Sequence, residues 1–165
     1  MTATQCEVTI RSGFPSELAG KLWRWLNSPR GPNFDDFGPS TPEGFAKQLK
    51  QRLLHEITWA ICADNEVVGY LAFSPANPIA GQCHGMVIAP NYRGRGIGTE
   101  AFRQAIQSLK ELEFRSFTVM PFEDNAVIRH MLETLGFDNL YPPLFGASRI
   151  DGKPRNVSIY HLGVE

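Results

Sequence analysis

The sequence predicts a mixed α/β fold, in which a central sheet carries helices on both of its faces. Two observations lead to this prediction. Short runs rich in β-branched and aromatic residues alternate with longer stretches in which apolar residues recur every three or four positions, the spacing of amphipathic helices. The chain of 165 residues is 42% hydrophobic, which suits one globular domain over residues 1–165.

The N-terminal part predicts one strand followed by two helices. Residues 8–11 are β-prone, and Pro15 opens a helix with Leu18 and Leu22 on one stripe. Residues 28–40 hold three prolines and two glycines and predict an irregular connection. Thr41 then caps a second helix, which begins at Pro42 and runs to about residue 54.

The remaining elements follow from turn signals and periodicity. Residues 57–63 and 67–74 predict a hairpin, because Asp64 and Asn65 tolerate the positive φ of a tight turn. The pattern predicts a loop at residues 75–81, the central strand at residues 83–89 and a further strand at residues 114–120. Asp124 or Asn125 caps a helix that Gly136 ends, and residues 144–150 and 155–162 predict a second hairpin around Asp151.

A glycine–arginine loop joins the central strand to the helix after it. Pro90 ends the strand, and Ile97, Ala101, Ala105 and Leu109 form one apolar helix face. Glycines let the backbone approach a ligand, and the first turn of a helix stabilises an anion. The predicted phosphate or pyrophosphate site contains Arg93, Gly94, Arg95, Gly96, Ile97, Gly98 and Thr99.

Two common phosphate loops do not fit this stretch. No G-x-x-x-x-G-K-[ST] occurs, and the glycine spacing differs from G-x-G-x-x-G. The loop resembles the acetyl-CoA loop of the GNAT N-acetyltransferases, whose pattern R/Q-x-x-G-x-G/A is met by Arg93, Gly96 and Gly98. The helix from Asn125 to the Leu135-Gly136-Phe137 end is similar to the second acetyl-CoA motif of that family.

The resemblance implies a GNAT-like fold with a mostly antiparallel sheet of about seven strands. It also implies acetyl-CoA as co-substrate, lying beside the central strand. The implied cofactor contacts are the backbone of Met86, Val87 and Ile88, the loop described above, and the side chains of Asn125 and Arg129.

Direct acetyl transfer needs a base, because a lysine-like ammonium has a pKa of about 10.4. His84 is the candidate, since alternation along the strand places it on the same face as Gln82 and Met86. The alternative is that His84 only forms a hydrogen bond within the sheet. Many GNAT members carry a tyrosine as acid where this chain has Leu132, so Tyr141 or water is the candidate substitute; the alternative is that Tyr141 is structural.

The acceptor is expected to be a primary amine of a small molecule, peptide or protein N-terminus. Asp35 and Asp36, with Phe34 beside them, would suit a cation with an apolar stem; the alternative is that the aspartates are merely solvated. His55, His130 and His161 lack the spacing of metal ligands, so no metal is expected. A net charge of -1 argues against nucleic acid or an anionic membrane as partner.

Three cysteines without a C-x-x-C pair, and no apparent leader or membrane span, predict a cytoplasmic protein. A homodimer formed by edge pairing of the C-terminal hairpin is an open alternative. The leading hypothesis is an acetyl-CoA-dependent N-acetyltransferase that acts in a ternary complex. The alternative, suggested by Leu132, is a CoA-binding regulatory module that does not turn over.

Overall fold

The computed structural model describes residues 6–26, 34–35, 41–147 and 154–164. Its element order matches the predicted one, with one short strand added in the connection between the first two helices. The elements are β1 Val8–Ser12, α1 Ser16–Leu26, β2 Phe34–Asp35, α2 Pro42–Leu53, β3 Ile57–Ala63, β4 Glu66–Asn77, β5 Ala80–Ile88, α3 Ile97–Glu111, β6 Ser116–Val119, α4 Ala126–Thr134, β7 Asp138–Ala147 and β8 Pro154–Gly163.

The strands form one mixed sheet in the order β1-β3-β4-β5-β6-β8-β7, with β2 attached to β5. Every described pairing is antiparallel except that of β5 with β6. The helices cover both faces. One core, around Phe73, Phe102 and Phe117, packs beneath α3 and α4, whereas α1 and α2 bury Leu18 and Leu49 against the other face. The predicted fold class is therefore confirmed.

Local sequence signals account for several boundaries. The Thr41 hydroxyl accepts a hydrogen bond from Gly44 N at 3.1 Å and caps α2 as predicted. Asp64 and Asn65 adopt φ of 48° and 70° in the hairpin between β3 and β4. Gly136, at φ 88°, ends α4, and Phe137 N donates to Leu132 O at 3.0 Å as in a Schellman motif.

Two strand predictions are wrong, because in both a proline was taken to lie outside a strand that in fact includes it. Residues 75–81 are a tight hairpin and not a loop, since β4 continues to Asn77 and β5 begins at Ala80. Pro75 is tolerated because β3 pairs only as far as Phe73. Strand β7 begins at Asp138 and not at residue 144; it is the last strand in the sheet order, and its register shifts between Leu140 and Leu144, which accommodates two prolines.

Among the described residues, no helix combines the length and the apolar character that crossing a membrane requires. The predicted turn at Asp151 lies outside the described residues.

Candidate functional site: the glycine loop and the open edge of the central strand

The glycine loop leaves the end of β5 through a short 3-10 turn at Pro90–Tyr92. Gly94 and Gly96 then adopt φ of 74° and 78°, values that side-chain-bearing residues rarely take. A Cβ added at either glycine would meet no atom within 4 Å, so the space beside the loop is open. The backbone is therefore bent in the way that brings main-chain N–H groups close to a ligand.

The first turn of α3 differs from those of α2 and α4. Thr41 caps α2, and Asn125 Oδ1 accepts from Ile128 N at 3.3 Å to cap α4. The N-cap of α3 is Gly96, and no side chain in the described part of the chain caps this helix. Its first N–H groups and the positive end of its dipole thus face the open loop, an arrangement that can hold an anion.

The two loop arginines have different surroundings. Arg93 is half-buried, and its Nε donates to Ile88 O at 2.9 Å. Burial lowers the pKa of the Arg93 guanidinium from its usual value. Arg95 is exposed, with Cζ 5.3 Å from the ring centroid of Tyr92. Arg93 thus anchors the loop to β5, whereas Arg95 adds positive charge at its outer surface.

A groove of about 400 Å³ begins at this loop. One wall is the end of β5, the floor is the glycine loop, and the opposite wall is the outer part of α4. The lining residues are Met86, Ile88, Tyr92, Arg93, Gly94, Gly96, Ile97, Gly98, Thr99, Val127, Ile128, His130 and Met131. Eight of the twelve predicted cofactor residues lie in this lining, while Val87, Arg95, Asn125 and Arg129 do not.

Gly98 sets how closely α3 approaches β5. A Cβ at this position would lie 3.3 Å from Met86 Cε and 3.6 Å from Ile88 Cγ1. Even alanine would therefore require Met86 to shift by a few tenths of an ångström. The glycine brings the helix start and the strand end together along one side of the groove.

Next to the groove, β2 takes the place of β6 beside β5. Strands β5 and β6 pair only at Ala80 with Ser116, Gly81 with Phe117, and Gln82 with Thr118. Strand β5 has β4 on one edge and β6 on the other. After Gln82, β6 no longer pairs with its edge. At that edge Phe34 pairs with Met86 and Asp35 with Gly85. The structure therefore brings two predicted acceptor-binding residues to the central strand through their backbone; their side chains, and all of Asp36, lie outside the described part.

A bulge in β5 changes the placement of His84. The register passes from Phe73–Cys83 to Ala72–Gly85, so His84 is the extra residue. Cys83 and Met86 consequently pack in the same core beneath α3, although strict alternation would separate them. His84 is the residue at which alternation breaks, so its face does not follow from that of Cys83. The prediction that His84 shares a face with Met86 assumed an uninterrupted strand; that premise does not hold, and the face of His84 stays a prediction.

The second predicted motif, in α4, is held mainly by contacts within the protein. Asn125 caps the helix, while Arg129 Nε donates to Tyr160 Oη at 3.1 Å and its NH1 donates to Glu123 O at 2.8 Å. Leu132, where an acid was sought, is fully buried in the core. The Tyr141 backbone belongs to β7, and its side chain lies outside the described part.

The residues that sequence reasoning missed lie on the outer face of α4. Val127 is 67% exposed although it is apolar, and His130 is exposed beside it along the groove. The sequence held only a weak signal for them. Position 127 is an apolar residue off the buried stripe of Ile128 and Met131, but single exposed apolar residues are common on protein surfaces, so this residue alone did not locate the groove.

The strand, the glycine loop and the uncapped helix define a class of α/β proteins that bind an anionic cofactor at a helix N-terminus. The sequence comparison makes this assignment more specific: residues 21–137 match the acetyltransferase (GNAT) family. This match covers well over half of the chain, so the protein belongs to that family, as predicted. No match was found among curated proteins.

Solved structures show the same fold. The ribosomal L7/L12 α-N-protein acetyltransferase RimL, in complex with coenzyme A, aligns with a TM-score of 0.76 at 18% identity, covering 95% of this chain and 94% of that one. The ribosomal-protein-S18-alanine N-acetyltransferase from Escherichia coli gives 0.72 at 14% identity, covering 96% and 95%. A GNAT family acetyltransferase from Elizabethkingia anophelis with acetyl-CoA bound gives 0.66 at 13%, covering 95% and 98%.

The described residues contain no group of three or more His, Cys, Asp or Glu side chains that could hold a metal ion.

Proposed function

We propose that the protein is an acetyl-CoA-dependent N-acetyltransferase that acetylates a primary amine of a small molecule, a peptide or a protein N-terminus. The observation that carries the proposal is the uncapped start of α3 at Gly96, opening onto a groove of about 400 Å³. Membership of the acetyltransferase family supports it. So do the neighbours of the same fold that hold coenzyme A or acetyl-CoA.

In this proposal the glycine loop binds the cofactor pyrophosphate. The N–H groups of the first turn of α3 donate to it, and Arg95 adds charge from the outer side. Arg93 keeps the loop against β5 through the Ile88 carbonyl. The proposal retains the backbone of Met86, Val87 and Ile88 as the pantetheine contact; at Met86 the cofactor would take the place of Phe34, which pairs with that residue in the structure. Val127 and His130 extend the opposite wall of the groove.

The proposal brings the cofactor and the amine to the central strand from opposite faces of the sheet. The groove lies on the face of α3 and α4. Strand β6 leaves β5 after Gln82, and β2 borders the opening, since it pairs with β5 at Gly85 and Met86. An amine arriving from the α1 and α2 face would meet the cofactor through this opening, with Phe34 and Asp35 beside it. Asp36 and the Tyr141 side chain remain proposed contributors.

The bound cofactor supplies an acetyl group activated as a thioester. His84, directly or through water, takes a proton from the ammonium, and the amine nitrogen bonds to the acetyl carbon as the carbon–sulfur bond breaks. The nitrogen then loses its second proton, directly or through water, to the departing thiolate, which gives the amide and CoA. A thiol with a pKa of about 8.5 is a fair leaving group, so transfer can proceed although Leu132 offers no acid.

The first test concerns cofactor binding. Acetyl-CoA should stabilise the protein by about 2.7 kcal/mol at roughly a hundredfold excess over its dissociation constant. Changing Arg93 and Arg95 together to Ala should weaken binding. A control that changes Lys110 and Arg115 to Ala removes the same charge near the far end of α3 and should leave affinity unchanged. Equal affinity in both double variants contradicts the loop assignment.

The second test concerns turnover. Thiol release from acetyl-CoA is followed with a panel of amines and N-terminal peptides, and the accepted amine then serves to compare wild type with His84→Ala. The variant should lose transfer rate by roughly a hundredfold while cofactor affinity stays unchanged. An unchanged rate removes His84 from the mechanism.

One observation favours a second function. Leu132 is fully buried in the core, so no side chain at that position can protonate the leaving thiolate. A CoA-binding regulatory module would keep the groove and bind acetyl-CoA without turnover. Sustained thiol release with any acceptor excludes this function.

A further inference from the structure

A buried polar network lies behind β5 on the face of α1 and α2. Arg52 Nε donates to Glu56 Oε1 at 2.8 Å, and the Tyr70 hydroxyl donates to Glu56 Oε2 at 3.2 Å. The side chains of Arg52 and Glu56 are only 16% and 6% exposed, and Tyr70 is fully buried. Both carboxylate oxygens thus have a donor, in a place where water has little access.

Stability alone does not explain why such a network is present. Removing two charges from water costs free energy, and a buried ion pair often contributes less to stability than apolar side chains of the same size. A buried network does, however, fix the relative position of the elements that carry it. This one ties the last turn of α2, through Arg52, to β4, through Tyr70, and to the residue before β3, Glu56.

The same arginine also contacts the bulge in β5. Arg52 NH2 donates to the His84 carbonyl oxygen at 3.4 Å. A bulge interrupts the regular ladder, so its carbonyl groups are available to side-chain donors. A guanidinium group suits this position because its planar fork reaches two acceptors in different directions, here the Glu56 carboxylate and the His84 carbonyl.

We propose that Arg52, held in place by Glu56 and Tyr70, fixes the bulge at His84 and Gly85 and so positions His84 for acetyl transfer. The catalytic part of this inference rests on the proposed function. Arg52, Glu56 and Tyr70 are positioning residues: Arg52 contacts the bulge, Glu56 pairs with Arg52, Tyr70 donates to Glu56, and none of the three lines the groove. The chemistry they serve is proton removal from the acceptor amine, because a shift of about 1 Å at the base is enough to reduce the rate strongly.

Three variants of the network separate its parts. Arg52→Gln removes the charge and the two-directional contact, and Arg52→Lys restores the charge but only one contact at a time. Tyr70→Phe removes the hydroxyl donor and keeps the ring, which packs edge-on against Phe14 at 5.6 Å. The matched control is Arg115→Gln, since Arg115 forms an exposed pair with Glu113 at the same kind of distance, 2.9 Å.

The closing experiment measures amide hydrogen exchange of residues 84–86, with those of α3 as an internal reference, together with kcat and acetyl-CoA affinity. In Arg52→Gln, exchange at 84–86 should accelerate about tenfold or more with α3 unchanged. Tyr70→Phe should give a smaller effect, Arg52→Lys a partial recovery, and Arg115→Gln none. Where the wild type turns over, kcat should fall about tenfold or more with unchanged cofactor affinity.

Each failure has its own meaning. Exchange at 84–86 that equals wild type in Arg52→Gln, or that rises equally throughout α3, overturns the anchoring role. Faster local exchange with unchanged kcat overturns its catalytic consequence. A wild-type protein that neither binds acetyl-CoA nor releases thiol contradicts the proposed function, while the exchange measurement still decides whether Arg52 fixes the bulge.

Discussion

Arg93 Nε donates to the Ile88 carbonyl oxygen at 2.9 Å, so the first residue of the loop motif reaches back to the strand that precedes it. The second arginine, Arg95, lies over the Tyr92 ring at the surface. The two cations of one motif therefore have separate tasks. One shapes the loop, and the other is available to a ligand.

Single substitutions should separate these tasks. Arg93→Ala should lower the free energy of unfolding by about 1–3 kcal/mol, because a part-buried carbonyl loses a charged donor. Arg95→Ala should change it by less than about 0.5 kcal/mol, because the side chain is exposed. Urea unfolding of the ligand-free proteins measures both. Equal losses in the two variants would show that Arg93 does not anchor the loop.

Gly96 should tolerate no side chain. Its φ of 78° costs an L-residue about 1–2 kcal/mol, so Gly96→Ala should destabilise the protein although the added Cβ meets no neighbouring atom. Gly20→Ala is the control: Gly20 lies within α1 with open space around it, and alanine there should stabilise by about 0.5–1 kcal/mol. Thermal unfolding distinguishes the opposite signs, and a stabilised Gly96→Ala protein contradicts the prediction.

Replacing Leu132 by the tyrosine found in many GNAT members should damage the core. Leu132 is fully buried, and a larger side chain with a hydroxyl group should destabilise the fold by about 1–3 kcal/mol. Leu132→Met, which keeps the volume, should cost less than about 1.5 kcal/mol. Denaturant titration compares the two. Tyrosine accepted at no cost would mean that this position can open toward the site.

Alkaline pH should destabilise the protein through Tyr70. Burial raises the pKa of the Tyr70 phenol well above its usual value, with Arg52 opposing and Glu56 adding to the shift. The unfolded phenol releases its proton near pH 10 and the folded one does not, so stability is complete below about pH 10 and falls above it. Tyrosinate absorbance should appear for Tyr70 only as the protein unfolds, and Tyr70→Phe should reduce the slope of stability above pH 10.

The elements that lie in the interior of the sheet and the loop between them could be predicted from sequence. Residues 57–63 were bounded by turn signals, and the periodicity of Ile97, Ala101 and Ala105 located α3. Prolines near strand ends were harder to interpret, because whether Pro75 breaks a strand depends on how far the neighbouring strand extends. The extent of the neighbouring strand is a property of the tertiary structure and is not visible in the local sequence.

The site was predictable only as far as it depends on backbone shape. The glycines of the loop indicated an open helix start, and eight predicted residues do line the groove. The face of His84 could not be derived, since a bulge leaves no mark in a run such as Cys83-His84-Gly85. The Arg52–Glu56–Tyr70 network was missed because its members are brought together only by the packing of α2 on the sheet.

The sheet consists of two antiparallel halves, one ending at β5 and the other at β6, which meet over three residue pairs. Such a short junction is the part of the sheet that would separate first under mechanical load or during partial unfolding. A molecule bound across this junction would hold the two halves of the sheet together. A ligand in the groove should therefore make unfolding of the whole sheet more cooperative, including the distant strands β1 and β7.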